Sequence, residues 1–292
     1  MDTIRLCNEI VKADIKKTGA ELCRITNAAS GKNYLWDPNP KIWQGYAPIL
    51  FPVVGALKEG CYLLDGEKYF LPQHGFARNN PDFKLISSCD TVSSFMLRHN
   101  QSTLKQYPFQ FEFIVTYELT GNRIVVGHTV KNINSKDMYF SLGVHPAFRC
   151  PVLVNEYYSD YFIEFEYPET CYTHEIHPGG LIGEQADLIL DNSKKLDLHY
   201  DLFSKGALVL KHIKSKKVSL CSSISGKQIG VDFEGFPYLG IWAKPKADYV
   251  CIEPWMGIAD SVDTDQNFIS KEGIIRLAAK DSFNASYSIT LF

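Results

Sequence analysis

The chain has 292 residues, of which 45% are hydrophobic and 22% charged, enough apolar material for a substantial core and too much for intrinsic disorder. Its 30 basic and 33 acidic residues are mixed along the chain and leave a net charge of −3, so no polyanion-binding surface is expected and nucleic acid is set aside as a partner. Eight cysteines (Cys7, Cys23, Cys61, Cys89, Cys150, Cys171, Cys221 and Cys251) stand singly without a CxxC or CxH pair, which reads as reduced thiols rather than a disulfide framework or a metal site.

The first segment, "MDTIRLCNEIVKADIKKTGAEL", carries charges every few residues and has no apolar h-region. It reads as neither signal peptide nor membrane anchor, and a cytoplasmic location is expected. The stretch "YAPILFPVVGAL" is too short for a span and contains two prolines, so a membrane partner is not expected either. "LPQHGFARNN" (71–80) places His74 before Gly75 and Arg78 just after Phe76 and Ala77. Glycine allows close approach of backbone or ligand, and Arg offers a planar donor fork for sugar hydroxyls or anions. A plain turn with a surface His and a salt-bridged Arg is the alternative.

"STLKQY", cut off before Pro108, predicts a short helix. "FEFIVTYEL" alternates with period two, Phe111, Phe113, Val115, Tyr117 and Leu119 on one face, and "LTGNRI" (119–124) then reads as a hairpin turn. In "SLGVHPAFRC" (141–150), Pro146 holds His145 extended, so the imidazole is aimed by a stiff backbone, or else is a satisfied core histidine. "YFIEFEY" (161–167) is another strand. "HEIH" (174–177) lacks the HExxH spacing of a zinc site and reads as a surface loop before Pro178-Gly179. Helical periodicity returns only near "LDLHYDLFSKG", and "SKGALVLKHIKSKK" (204–217) reads as a solvated strand and hairpin.

In "YVCIEPWMGIAD" (249–260) a lone carboxylate, Glu253, stands among apolar and aromatic neighbours with Pro254 stiffening its backbone. Such neighbours predict burial, and a buried charge is costly unless something holds it. "SYSITLF" (286–292) closes the chain with a last strand. No linker, repeat or low-complexity tract interrupts this series, and no GxGxxG, GxxxxGK[ST] or GxSxG motif occurs. The expectation is an all-β protein, one large antiparallel β-sandwich domain over 1–292 with few short helices. A His-Pro and a Glu-Pro in apolar settings point to one acid and one base held rigidly.

With "PILFPVVGAL", "QHGFAR", "YPFQFEFIVTYEL", "VKN", "LGVHPAF", "GFPYLGIW" and "CIEPWMGIADS" in order over about residues 45–262, the chain resembles the aldose 1-epimerase (galactose mutarotase) family, and its LacX-like branch in particular. The resemblance implies a β-sandwich whose concave face holds an aldose sugar and interconverts its α and β anomers without metal or redox cofactor. It implies His145 as general acid on the ring oxygen, Glu253 as general base at the anomeric hydroxyl, and His74 as a second histidine at the ring oxygen. Arg78 and Asp232 are implied as substrate contacts, with Glu234 the alternative to Asp232. Hexose-6-phosphate 1-epimerases, a neighbouring branch, usually carry a further basic residue before the "PILFP"-type stretch. Here no Lys or Arg stands between Lys41 and Lys58, so an unphosphorylated sugar is favoured.

Two rivals remain at this point. A carbohydrate-binding module could grip sugar through Trp36, Trp43, Trp242 and Trp255, but would not need two histidines and a carboxylate in apolar surroundings. A glycosidase typically needs two carboxylates about one bond, and only Glu253 stands out. For the acid–base pair to work near neutrality, Glu253 is expected ionised and His145 protonated, the carboxylate raising the imidazole pKa.

Overall fold

Alternating burial sets the architecture. The computed structural model describes residues 2–292. In Phe111–Thr120 the odd positions are buried while the even ones face outward, and the chain turns at Gly121 into Arg123–Asn132 with Thr120 opposite Arg123. These two strands lie within a nine-stranded antiparallel sheet. Its order runs from Leu181–Asp197 through Tyr161–His177, Lys217–Ser222, Gly226–Asp232, Ser282–Leu291, Arg123–Asn132, Phe111–Thr120 and Val92–Arg98 to Lys84–Ser88.

A second antiparallel sheet carries Leu208–Lys211, Tyr238–Trp242, Tyr249–Met256, Leu142–Val144 and Ile49–Leu50 in that order, with Ala147–Arg149 pairing to the start of Tyr249–Met256. Phe51, just beyond Ile49–Leu50, joins the two layers. Its ring stacks on Phe113 of the large sheet at 4.6 Å between centroids and meets Tyr107, Phe111 and Phe76 edge-on. Burying each such side chain contributes about 1.5–3 kcal/mol, so this aromatic cluster is a main tie between the sheets.

A three-stranded meander, Thr3–Cys7, Val11–Lys16 and Glu21–Asn27, braces the small sheet through a buried acid. Glu21 accepts hydrogen bonds from the Tyr46 and Ala47 backbone N–H groups at 2.8 and 3.1 Å and pairs with Lys16 at 2.9 Å. The segment so pinned then holds the chain around residue 145, because Tyr46 and Pro48 carbonyls accept from the Ala147 and His145 N–H groups.

The one α-helix among the described residues is Gln101–Gln106. It starts where Asn100 accepts from the Thr103 N–H and ends before Pro108, as the sequence predicts. Two expectations are corrected. Residues 199–206 form successive turns, not a helix: Leu196 and Leu198 are both buried, a two-residue spacing that continues the preceding strand. "HEIH" is not a loop either. It ends the long strand Tyr161–His177, whose hairpin with Leu181–Asp197 bulges repeatedly and leans over the edge of the small sheet, where Thr173 Oγ1 accepts from the Val209 N–H. Among the described residues no helix is long and apolar enough to cross a membrane.

Candidate active site

All eight residues of Tyr249–Met256 are buried, and Glu253 sits at 1% exposure. Its strand neighbours explain how a carboxylate fits there. Gly240 lies directly opposite Glu253, and Gly143 lies opposite Trp255. A Cβ on Gly240 would stand 2.4 Å from the Trp255 ring, and one on Gly143 would stand 2.9 Å from it. The two glycines therefore let the indole lie flat across the sheet beside Glu253.

His145 stands in the break between Leu142–Val144 and Ala147–Arg149, where its N–H donates to the Pro48 carbonyl at 3.1 Å. Its ring stacks on Trp43 at 5.0 Å and is edge-on to Trp242 and His74 at 5.8 Å each. Nε2 lies 3.2 Å from Glu253 Oε2. Imidazole and carboxyl thus stand a single hydrogen-bond length apart.

His74 arrives from a tight turn. It adopts φ +67°, a left-handed conformation that costs a non-glycine residue about 1 kcal/mol or more. The next residue must be glycine, because a Cβ on Gly75 would stand 2.2 Å from the Phe51 carbonyl oxygen. Two bonds to Gly55 hold the strained residue: His74 N–H donates to the Gly55 carbonyl at 2.8 Å, and Gly55 N–H donates to His74 Nδ1 at 3.1 Å. Since Nδ1 accepts, the proton of the neutral ring resides on Nε2. His74 is a fixed neutral donor.

The three residues line one open cavity of about 430 Å³, large enough for a small ligand. Trp43, Trp242 and Trp255 supply its aromatic walls, and among the described residues Arg78 is the only Lys or Arg that lines it. Trp36 packs instead on Tyr249 at 4.8 Å, outside this lining. Gln73 also lines the cavity, and sequence reasoning passed over it although it stands inside the "QHGFAR" stretch. Ile176, Gly206, Ala207 and Val209 form a wall that no local pattern announces.

Burial dominates the electrostatics. It pushes the Glu253 carboxyl well above the usual carboxylate range, opposed by the Trp255 indole N–H, which approaches without completing a hydrogen bond. It pushes His145 well below the usual imidazole range, reinforced by His74 and Arg78, and takes His74 down to about 3 with Arg78 adding to the effect. The expectation that Glu253 would raise the His145 pKa is therefore reversed: in this dry site desolvation of the two ions outweighs their attraction. Cys251 Sγ lies within 4.8 Å of the pair, and burial keeps its thiol protonated, a packing neighbour rather than a ligand.

One expected contact is not brought to the cavity. Asp232 ends the strand Gly226–Asp232 of the large sheet, facing Arg123 at 3.7 Å and absent from the cavity lining. Glu234 borders a different surface hollow beside Gly127 and Asn284. Neither acid lines the cavity that His145 and Glu253 share.

Comparison with known proteins identifies the family. The family model for aldose 1-epimerase matches residues 2–275. The chromosomal protein LacX of Lactococcus lactis subsp. lactis is 35% identical over 298 residues, covering 99% of each chain. A galactose mutarotase related enzyme from Lactobacillus acidophilus superimposes with a TM-score of 0.93 at 34% identity, over 100% of this chain and 97% of that one. A galactose mutarotase-like protein from Lactobacillus casei gives a TM-score of 0.93 at 32% identity over 100% of both chains.

Proposed function

The chain belongs to the aldose 1-epimerase family, and from that premise we propose that its cavity opens and recloses the ring of a free hexose, with Glu253 and His145 moving the protons and His74 steadying the ring oxygen. It is an isomerase of the mutarotase type. The observation that carries the residue assignment is the 3.2 Å contact between His145 Nε2 and Glu253 Oε2 at the floor of an aromatic-walled cavity.

Ring opening needs one proton removed from the anomeric hydroxyl and one delivered to the ring oxygen, which leaves an open-chain aldehyde. Those two oxygens hang on the same carbon, so a base and an acid a hydrogen bond apart can reach both. Glu253 takes the hydroxyl proton, and His145 gives its proton to the ring oxygen as the C1–O5 bond breaks. Rotation about the C1–C2 bond presents the other carbonyl face, and closure returns each proton to its source. Burial by itself favours the pair's proton on Glu253. A bound sugar hydroxyl donating to that carboxyl, together with the Trp255 N–H, favours its transfer to His145.

His74, held neutral with its proton on Nε2, offers a hydrogen bond to the ring oxygen rather than a proton. With Arg78 the only cation among the described residues that lines the cavity, a dianionic phosphate would meet one guanidinium, which supports an unphosphorylated aldose. The whole chain serves as one cytoplasmic unit in this reading.

Polarimetry of freshly dissolved α-glucose and α-galactose tests the assignment. Glu253→Gln and His145→Asn should each lose about 10²–10⁴ in rate while remaining folded. A folded variant of either kind that mutarotates sugar at nearly the parental rate would remove that residue from the mechanism.

A further inference from the structure

In the proposed mechanism His145 carries a positive charge before it gives its proton to the ring oxygen, and the cavity offers that charge little help. The turn 73–78 faces it with His74, edge-on at 5.8 Å and neutral, and with Arg78, a like charge. The strand Tyr249–Met256 offers Glu253 at 3.2 Å and the protonated thiol of Cys251. The strand Tyr238–Trp242 offers Trp242, which has no titratable group. Apart from Glu253, no charged neighbour favours the imidazolium.

One uncharged neighbour does favour it. The segment 36–46 lays the face of Trp43 on the His145 ring, with centroids 5.0 Å apart and planes 22° from parallel. Several contacts fix this indole. The Trp43 carbonyl accepts from the Asn39 N–H at 3.0 Å and from the Trp36 indole N–H at 3.1 Å, while Lys244 Nζ donates to the Ile42 carbonyl at 3.1 Å. Gly45 leaves room for the ring, since a Cβ there would stand 2.6 Å from it. Tyr249, wholly buried, lies nearly parallel to the indole at 5.6 Å, and Trp242 meets it edge-on at 5.9 Å. Of residues 36–46 only Trp43 lines the cavity, so this segment brings no charge to His145.

Resting on the mutarotase reading, we propose that Trp43 is a positioning residue for the proton transfer, its indole face stabilising the imidazolium form of His145 through a cation–π contact. The negative face of an indole attracts a cation that lies within about 6 Å of the ring centroid, and the attraction grows where water is excluded, as it is around the buried His145. A carboxylate in the same place would also favour the imidazolium, but it would oppose ionisation of Glu253. The indole carries no net charge and does not set one half of the pair against the other. It raises the share of the pair's proton that rests on His145, the arrangement from which a ring oxygen can be protonated.

The experiment reads enzyme-dependent mutarotation of glucose against pH, together with nitrogen NMR of the His145 ring in the free protein. It compares the parent with Trp43→Leu, Trp43→Phe and proteins carrying mono-, di- or trifluorinated tryptophan at position 43 alone, in which fluorine withdraws electron density from the ring face at nearly constant shape. Trp43→Leu should move the acid limb and the His145 titration to lower pH by about one unit and lower kcat by up to about tenfold. The alkaline limb should stay, because His145 is neutral on both sides of that step. Trp43→Phe and the fluorinated proteins should fall between, the latter in order of fluorine count. His145 titrations that superimpose across the fluorinated series would overturn the contact, even if the rate or KM changes, and would leave the mutarotase reading standing with Trp43 only a wall of the cavity. If the parent turns over no sugar, that reading fails, and the NMR titration still decides: a stepwise descent with fluorination sustains the contact, and superimposed curves overturn it.

Discussion

Glu253 Oε2 and His145 Nε2 stand 3.2 Å apart, and burial governs where a proton placed on this pair would rest. Starting from the doubly protonated pair, the first proton to leave comes from His145, whose pKa lies below its ordinary value; the second comes from Glu253, whose pKa lies above its own. In the proposed mechanism the working form is the one between these steps, so the catalysed rate should follow a bell over pH. Its acid limb then belongs mainly to His145 and its alkaline limb to Glu253, opposite to the order that unperturbed values give, and both limbs are properties of the coupled pair. Enzyme-dependent polarimetry from about pH 4 to about pH 10, with nitrogen NMR of the His145 ring in the free protein, checks both points; an imidazolium persisting at neutrality would refute the order. The same burial has a cost in stability. A folded-state pKa raised above the unfolded value gives stability that is present below about pH 4.5 and is lost as pH rises toward the folded pKa. Glu253→Gln cannot ionise, so its thermal midpoint should gain on the parent as pH rises from about 5 to about 8. Midpoints that run parallel over that range would show that Glu253 is not held neutral.

At the level of strands, glycine placement controls the site more than strand propensity does. Alanine normally stabilises a strand relative to glycine by roughly 0.5–1 kcal/mol. Gly127, in Arg123–Asn132, follows that rule: its φ is not left-handed and a Cβ would meet nothing closer than 3.9 Å, so Gly127→Ala should be neutral or mildly stabilising. Gly240→Ala should do the reverse, because its methyl group would displace the Trp255 ring from beside Glu253. Overpacking of this kind costs about 1–3 kcal/mol, and activity should fall with it. Chemical denaturation and polarimetry of the two variants, with tryptophan fluorescence reporting the indole, make the comparison; a Gly240→Ala protein as stable and active as Gly127→Ala would show that the ring has room to move. The alternation in "FEFIVTYEL" and the stop before Pro108 were legible because they are local. The cradle for Trp255 was not: it depends on Gly143 and Gly240 lying beside residues 253–255, and sequence spacing does not encode which distant strands pair. The turns at 199–206 were misread for a related reason, since Leu198 and Phe203 suit a helix face as well as a strand followed by turns.

Across the whole molecule, the site is assembled where distant segments meet on one sheet, and the sheet to which a segment belongs decides which acids can serve it. That His74, His145 and Glu253 are candidates is legible in the sequence because each lies in a stiff, apolar or glycine-marked setting, and the fold brings the three to one cavity. Asp232 was misplaced because "VDFEGFPYLGIW" straddles a change of layer: Gly226–Asp232 belongs to the large sheet, and Tyr238–Trp242 to the small one. An acid just before that crossover is left on the wrong layer. The large sheet holds a titratable group of its own in His128, which lies between the rings of Phe113 and Tyr287 at 6.0 and 6.1 Å, with neither ring nitrogen hydrogen-bonded. Burial lowers its pKa to about 3, and His74 shares that value. A histidine that is depressed in the folded state takes up its proton near pH 6.5 only on unfolding, so each contributes stability that is present above that pH and is lost as pH falls toward 3. The loss per group approaches about 1.4 kcal/mol per pH unit between those limits. Acid should therefore unfold this protein well before its surface carboxylates are fully protonated. His128→Phe keeps an aromatic ring in the stack and removes one of the protons taken up on unfolding, so the slope of unfolding free energy against pH should be shallower by about 1.4 kcal/mol per pH unit below about pH 6. Urea titrations at a series of pH values measure both slopes, and identical slopes for parent and variant would mean that His128 is protonated inside the folded core.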